Sequence, residues 1–331
     1  DDRHNYAYVF YGDTFFDTVK DPKWSNMGHE MIAFTHYYIV ENGESFYLHA
    51  GESVPIENYE VPRVHHNYKE TSDDKADWNR LMNAIANGIS SGEMTKVVSS
   101  REVEFTSETP YNVSSILADL VDNNPNCFIF GYEKDGRTFV GASPEILVRH
   151  RGSEILSYAL AGTAPKDGPN GWTKEQLLTN TKNIVEHNIV RDRIVNTMKQ
   201  ITPDVTVGET GIMELSHLYH LRTIITAKDS TKSLVEWAKL LHPTPALGGE
   251  PREKALALLQ EYESHERGMY AAPFGFMKDM GDGIVVVAIR SALIMDNVLY
   301  AYAGCGVVAD SDADEEYAET NNKMRTILDA L

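Results

Sequence analysis

Leu299-Tyr-Ala-Tyr-Ala-Gly-Cys-Gly306 reads as a glycine-punctuated apolar strand, and it leads directly to Asp314-Glu-Glu-Tyr-Ala-Glu-Thr-Asn-Asn-Lys323, an acidic helix. Residues three and four apart share a helix face, so Glu316, Glu319 and Lys323 set two carboxylates and one ammonium beside bare glycine backbone. Such a face suits a divalent cation and an anionic ligand. It also has an ordinary reading: acids in a first turn complement the helix dipole, and Glu319 with Lys323 is a routine stabilising pair. Only the rest of the chain can separate the two.

Working back from that junction, strands are expected over 284–295 and 298–303, with the acidic helix running on to Leu331. Shorter helices are expected over 233–241 and 251–263. A long helix is expected from Thr173 to about Met198, with Leu177, Ile184, Ile189, Ile194 and Val195 as its apolar stripe. A polar turn at 166–171 precedes it. Strands over 155–161, 146–150, 137–141 and 127–132, a helix over 113–121 and a strand over 95–105 come before that. Residues 73–91 place Trp78, Leu81, Met82, Ile85 and Ile89 at helical spacing, with Ser72 or Asp73 as the cap. Residues 1–68 alternate in stretches such as Tyr6-Ala-Tyr-Val-Phe10 and Ser45-Phe-Tyr-Leu-His49, the pattern of strands between turns.

Strands therefore come in antiparallel-looking pairs instead of alternating strictly with helices. This predicts a mixed α+β architecture with large sheets, not a doubly wound parallel fold. No repeat or linker divides the chain. The expected organisation is a single domain in which residues 1–70 form a strand-rich N-terminal part and 71–331 the catalytic region.

The 331 residues are 42% hydrophobic and 24% charged, enough for a substantial core. Thirty basic against forty-nine acidic side chains give a net charge of -19, which argues against a nucleic-acid backbone or an anionic membrane as partner. An anionic substrate would need local positive charge from a metal or from placed Lys and Arg. Two cysteines, Cys127 and Cys305, cannot build a disulfide framework or a thiolate cluster and read as small buried strand residues. No apolar run has the length of a membrane span and no leader stands at the start, so a cytoplasmic setting is expected. The chain opens at Asp1 instead of Met, which leaves room for residues before it.

Gly304-Cys-Gly306-Val-Val-Ala309 fits a dinucleotide fingerprint on paper, but a pyrophosphate there would meet Asp310, Asp312 and Asp314, and too little chain follows to finish a βαβ unit. His29-Glu30 has Ala33 where a zincin needs its second histidine. No Walker loop or nucleophile elbow is present.

Four further segments look built for an anion: Lys96-Val-Val-Ser-Ser-Arg101, Gly141-Ala-Ser-Pro-Glu145, Leu160-Ala-Gly-Thr163 and Leu241-His-Pro-Thr-Pro-Ala-Leu-Gly-Gly249. With Glu186-His187, His220-Leu-Arg-Thr223, Ala288-Ile-Arg-Ser291 and Ala303-Gly-Cys-Gly306 through Lys323, they resemble the chorismate-utilising enzymes, and within them the isochorismate synthases, in the same order from about residue 75 to the end. The resemblance implies the family fold, that of anthranilate and aminodeoxychorismate synthases: a large two-lobed antiparallel β-sandwich flanked by helices. Residues 1–70 match loosely. The wording around Leu241–Glu253 is similar to the menaquinone-pathway type more than to the siderophore type.

The activity implied is Mg2+-dependent isomerisation of chorismate, a dianion, to isochorismate. Water adds beside the carboxylate-bearing ring carbon and the hydroxyl across the ring departs. A magnesium ion on the ring carboxylate stabilises charge that builds in the transition state. By resemblance its ligands are Glu186 and Glu319, with Glu316 close by, directly or through water. On its own residues, Glu186 reads more readily as a surface pair with Lys182, four residues earlier.

Lys96 resembles the general base, a role that needs a depressed pKa, which burial and a nearby cation promote. Amine-adding relatives generally lack this lysine. Glu145 resembles the general acid and must hold a proton near neutral pH. Tyr270 and Arg290, with backbone N–H groups at Gly304 and Gly306, resemble the grip on the enolpyruvyl carboxylate. Gly162, Thr163 and Lys323 resemble the ring-carboxylate site, and His220 and Thr244 the ring pocket. Met269-Tyr-Ala-Ala-Pro273 and Cys305 depart from common family wording without touching these residues. The alternatives are a salicylate synthase, a siderophore-pathway isochorismate synthase, an amine-adding synthase with a glutaminase subunit, and a catalytically silent chorismate-binding protein. The state expected is a monomer or weak dimer.

Overall fold

Alternation in the first seventy residues yields five short strands: β1 (Tyr8–Gly12), β2 (Glu30–Ala33), β3 (His36–Glu41), β4 (Glu44–His49) and β5 (Tyr68–Glu70). The computed structural model describes residues 8–57, 59–169, 171–278 and 281–331. Tyr6 and Ala7 of the expected first strand, and Asn170 of the expected turn, lie outside them.

Then come α1 (Lys75–Ser90), β6 (Lys96–Ser107), α2 (Val113–Asn123), β7 (Phe128–Lys134), β8 (Arg137–Ser143), β9 (Ile146–Arg151) and β10 (Glu154–Pro165). The middle continues with α3 (Lys174–Thr179), α4 (Thr181–Lys199), β11 (Val205–Val207), β12 (Gly211–Glu214), β13 (Leu218–Lys228), α5 (Leu234–Leu241), β14 (Gly249–Glu250) and α6 (Arg252–Tyr262). The chain closes with β15 (Pro273–Lys278), β16 (Gly283–Val287), β17 (Ser291–Met295), β18 (Val298–Val307) and α7 (Ala313–Leu328).

The strands build two large sheets, and each pairing among the described residues is antiparallel. One runs β11-β13-β10-β9-β16-β15-β1-β2, with β12 also on β13; the other runs β14-β6-β18-β17-β8-β7, with β5 on β6. β3 and β4 form a separate ribbon. Phe10, Val148, Ile155 and Phe274 from the first sheet share one core with Phe130, Phe139, Leu293 and Tyr302 from the second. The sheets therefore pack face to face, and burying each such aromatic contributes roughly 2–3 kcal/mol. Helices cover the outer faces: α4 lies on β10 and β13, α7 on β18, and α1 with α6 on β6. This is the mixed, two-lobed α+β sandwich expected.

Four expectations need correction. The helix over 173–198 is two helices, because Asn180 leaves helical backbone (ψ 118°) and its Oδ1 accepts from the Asn183 N–H at 3.0 Å. Asparagine satisfies a helix start better than a helix interior, and it won here over the apolar periodicity. The strand over 284–295 is also two, in different sheets. The chain crosses between sheets at Ala288–Arg290, where Arg290 takes φ +52°. A non-glycine residue in that region costs about 1–3 kcal/mol and is held only where its surroundings demand it. The cap of α1 is Asp74, with no side-chain capping bond, because its carboxylate is committed to Arg101 and Tyr317. Of the two cysteines, Cys305 is buried in β18, whereas Cys127 is half-buried and precedes β7.

Candidate active site

Lys96 opens β6 and is fully buried, its Nζ 3.0 Å from Glu186 Oε1 on α4. The contact is an ion pair without hydrogen-bond geometry, so the ammonium keeps its directional capacity unspent. Gly306 on β18 makes room for the pair: a Cβ there would stand 2.1 Å from Glu186 Oε1 and 2.7 Å from Lys96 Cε. Any side chain at this position would displace both charges.

Glu186 lines a cavity where the two sheets and α4 and α7 meet, and Glu145, Thr163, His220, Tyr270, Arg290, Gly304 and Lys323 share its wall. Glu145 sits in the β8–β9 connection, 2% exposed, with Oε1 unpartnered. Burial pushes its carboxyl up to about 8, against the opposing pull of Lys96, Arg290 and Lys323. Glu145 is therefore a protonated acid at neutral pH, facing three cations that do not overcome its desolvation.

Arg290 is buried and has no carboxylate within ion-pair distance among the described residues. Its Nη2 donates to His220 Nε2 at 2.7 Å. A buried guanidinium without a counter-ion is costly, and a carboxylate matching its fork is the natural partner. Beside it, Tyr270 stacks on Tyr302 with centroids 5.4 Å apart, and burial raises its phenol. Gly304 admits that ring: a Cβ would come within 2.6 Å of the Ser99 carbonyl and 2.9 Å of the Tyr270 hydroxyl. Lys323 Nζ donates to the Gly304 carbonyl at 2.7 Å and pairs with Glu319 at 2.6 Å.

Glu316 and Glu319 line a larger adjoining cleft that shares Thr163 with the first cavity. Glu316 is 1% exposed, paired with Lys182, and its Oε2 is buried without a partner. Burial, then the charge of Glu319, raise its carboxyl against the pull of Lys182. Lys182 in turn feels Glu316, Glu319 and Glu186 together, so all three acids surround one ammonium. Among the described residues no three acids, histidines or cysteines already form a coordination sphere; each of these glutamates rests on a lysine. The donor set nonetheless fits a hard divalent ion: it offers oxygen ligands only, and one of them, Glu316 Oε2, is buried without a partner.

The remaining expected residues stand just outside the wall. Gly162 (φ +80°) forms a bulge in β10 that turns Thr163 toward the cavity, and a Cβ on it would stand 2.9 Å from the Asn183 carbonyl. Thr244 lies behind Ala246 and Leu247, its hydroxyl accepting from the Ala246 N–H.

Sequence reading passed over Asn183, His187 and Arg267 as working parts. Asn183 Oδ1 accepts from the Thr163 N–H at 3.0 Å. His187 Nδ1 donates to the Ala161 carbonyl, pinning α4 to β10 beside Glu186. Arg267, 1% exposed and paired with Glu263, holds the Val98 and Leu247 carbonyls. A signal for the first two was present: Asn183, Glu186 and His187 stand at i, i+3 and i+4, polar residues on the face that Val190 continues at i+7. Arg267 carries no such periodicity.

A protonated carboxyl and an unpaired guanidinium on one cavity between two antiparallel sheets, with a buried lysine just behind its wall, suit an anionic ligand. The sequence profile of the family described as "Chorismate binding enzyme" matches residues 48–331, and the chain belongs to that family. The isochorismate synthase MenF of Bacillus subtilis (strain 168) is 36% identical over 264 residues, 78% of this chain and 56% of that protein. This chain thus spans little more than half the length of that curated relative. The solved structure of MenF, the menaquinone-specific isochorismate synthase from Escherichia coli, superimposes with a TM-score of 0.82 at 26% identity, over 97% of this chain and 79% of that one. Anthranilate synthase component I from Streptococcus pneumoniae TIGR4 shares the fold, with a TM-score of 0.78 at 20% identity over 98% of this chain and 80% of that one. The profile match begins at residue 48, earlier than the motifs near residue 75 marked it.

Proposed function

We propose that this chain is an isochorismate synthase, an isomerase that converts chorismate to isochorismate in menaquinone biosynthesis in the cytoplasm. The observation that carries the reading is that Glu186, with Lys96 buried against it behind Gly306, lines the same cavity as a protonated Glu145. The reading gives each proton-transfer role a residue, Lys96 as base and Glu145 as acid, and each such role is typically worth ~10²- to 10⁴-fold in rate.

In this mechanism Arg290 and Tyr270 hold the enolpyruvyl carboxylate, which supplies the counter-ion Arg290 lacks. Thr163 and Lys323 orient the ring carboxylate. Lys96, acting as the neutral amine once its ammonium proton has been released, takes a proton from a water molecule as the water oxygen bonds to the ring carbon next to the carboxylate-bearing one. The two ring double bonds shift, and the hydroxyl across the ring leaves as water with the Glu145 proton. One water enters and one departs, so substrate and product are isomers. Glu186, Glu316 and Glu319 would hold a magnesium ion, which stabilises negative charge on the ring carboxylate when bound. Residues 1–70 and 71–331 act as parts of one catalytic domain, since β1 and β2 extend one sheet and β5 the other.

The test is incubation with chorismate and Mg2+, followed by chromatographic separation of products. Isochorismate is expected. Salicylate with pyruvate would reassign the chain as a lyase, an aminated product formed with ammonia would reassign it as an amine-adding synthase, and no product at all would leave a silent binder.

A further inference from the structure

Thr163, His220 and Arg290 form a buried chain of polar groups whose direction is fixed by what each can donate. A guanidinium has five N–H donors and no acceptor, so His220 Nε2, 2.7 Å from Arg290 Nη2, presents a lone pair to it. The ring proton is then on Nδ1, because a second proton on Nε2 would face the guanidinium directly. The surroundings agree. His220 is 4% exposed, and its basicity is held well below the ordinary value by burial first and then by the charges of Arg290 and Lys323. The Gly162 carbonyl also lies close enough to favour a donor at the ring. Thr163 Oγ1 lies 3.0 Å from Nδ1. With Nδ1 carrying the proton, that oxygen accepts, and the hydroxyl hydrogen cannot point at the ring.

The hydroxyl has no other acceptor among the described residues, while the Thr163 backbone N–H is held by Asn183. Thr163 lines both the inner cavity and the adjoining cleft. Its one free hydrogen therefore has only the ligand space to enter.

We propose that His220 is a positioning residue, locked by Arg290 as the neutral Nδ1–H tautomer, that fixes the Thr163 hydroxyl as an obligate donor to a carboxylate oxygen of the substrate. Arg290 and Thr163 are then one directed unit, donating at both ends to a dicarboxylate, and a ligand offering a hydroxyl donor at the Thr163 end is rejected. The inference rests on the proposed function for the identity of the dianion, but not for the tautomer.

Two measurements test it. In ¹⁵N-histidine-labelled protein at neutral pH, the ring signals absent from His220→Gln are expected to show a protonated Nδ1 and a bare Nε2. In kinetics with chorismate, Thr163→Val and His220→Phe are each expected to lower kcat/KM about 10- to 100-fold, the effect of losing one hydrogen bond to a charged group. The double variant is expected to be no worse than Thr163→Val alone, and His220→Gln, which keeps an acceptor and a donor, to recover part of the loss. An Nε2–H tautomer, an imidazolium at neutral pH, or losses that multiply in the double variant would overturn the relay. If the product is not isochorismate but the tautomer and the non-additivity stand, the relay stands and the functional reading fails.

Discussion

Glu145 and Gly306 show how far a single side chain, or its absence, sets the chemistry. Burial lifts Glu145 to about 8, so as the proposed general acid it is expected to limit the alkaline side of the rate profile. Activity is expected to fall as pH rises through about 8, and Glu145→Gln to lose ~10²- to 10⁴-fold in kcat. A pH–rate series on both proteins checks this. The same shift has a sign for stability. Unfolded chain loses this proton near 4.5 while folded protein keeps it to about 8, so between those values the folded state binds more protons and stability contributed here declines as pH rises. Gly306→Ala is expected to remove turnover without unfolding the sheet, since the clash falls on two charged side-chain ends, 2.1 and 2.7 Å away. Unchanged circular dichroism with lost activity is the expected pair of observations. Side-chain chemistry of this kind was barely legible in the sequence. Lys96, Glu145 and Glu186 each have a plainer reading taken singly, and only their joint resemblance to one family selected them. Lys182 was visible only as a helix neighbour of Glu186, whereas its carboxylate partner, Glu316, comes from a helix 134 residues away in sequence.

Elements were more legible than residues, and the exceptions mark the site. Strand alternation and helix spacing located most of the large elements but passed over β13 (Leu218–Lys228) and β15 (Pro273–Lys278), and two continuous patterns were broken, at Asn180 and at Arg290. Both breaks set up the cavity: one starts the helix that presents Glu186, the other turns a guanidinium inward. Local polar chemistry overrode periodicity because the long-range partners that reward it are invisible to a sequence window. Arg101 tests the coupling between elements. On β6 it meets Asp74 at 2.5 and 3.1 Å, Thr320 at 2.8 Å and Asn321 at 2.6 Å, and it lies 3.6 Å from the Tyr317 ring centroid. It thereby fixes the helix carrying Glu316, Glu319 and Lys323 to the strand carrying Lys96. Arg101→Met is expected to cost about 3 kcal/mol or more in denaturant unfolding, because it leaves Asp74 with a largely buried, uncompensated charge. It is also expected to raise the magnesium concentration needed for half-maximal rate. Arg101→Lys should recover less than half of either effect, lacking the planar fork.

At the scale of the whole molecule, the cavity joins residues from both sheets, so a ligand that fills it ties the two layers together. Chorismate with magnesium is expected to raise the thermal midpoint with the logarithm of ligand concentration above Kd, the folded state gaining about 2.7 kcal/mol at a hundredfold excess. Glu319→Gln is expected to shift that titration to higher magnesium, and an unchanged curve would remove Glu319 from the ion's ligands. The net charge of -19 gives this dependence its physical basis. A dianion approaching an acidic protein needs concentrated positive charge where it lands, and in the proposed mechanism Arg290, Lys323 and a cation among the three glutamates would supply it.

The most direct test follows the oxygen that Lys96 is held to deliver. Turnover of chorismate in H₂¹⁸O, with isochorismate examined by mass spectrometry, is expected to give one ¹⁸O per molecule in the new ring hydroxyl, and Lys96→Ala to give none because turnover stops. Isochorismate formed without label, or labelled at an undiminished rate by Lys96→Ala, would contradict a lysine-activated solvent water as the nucleophile.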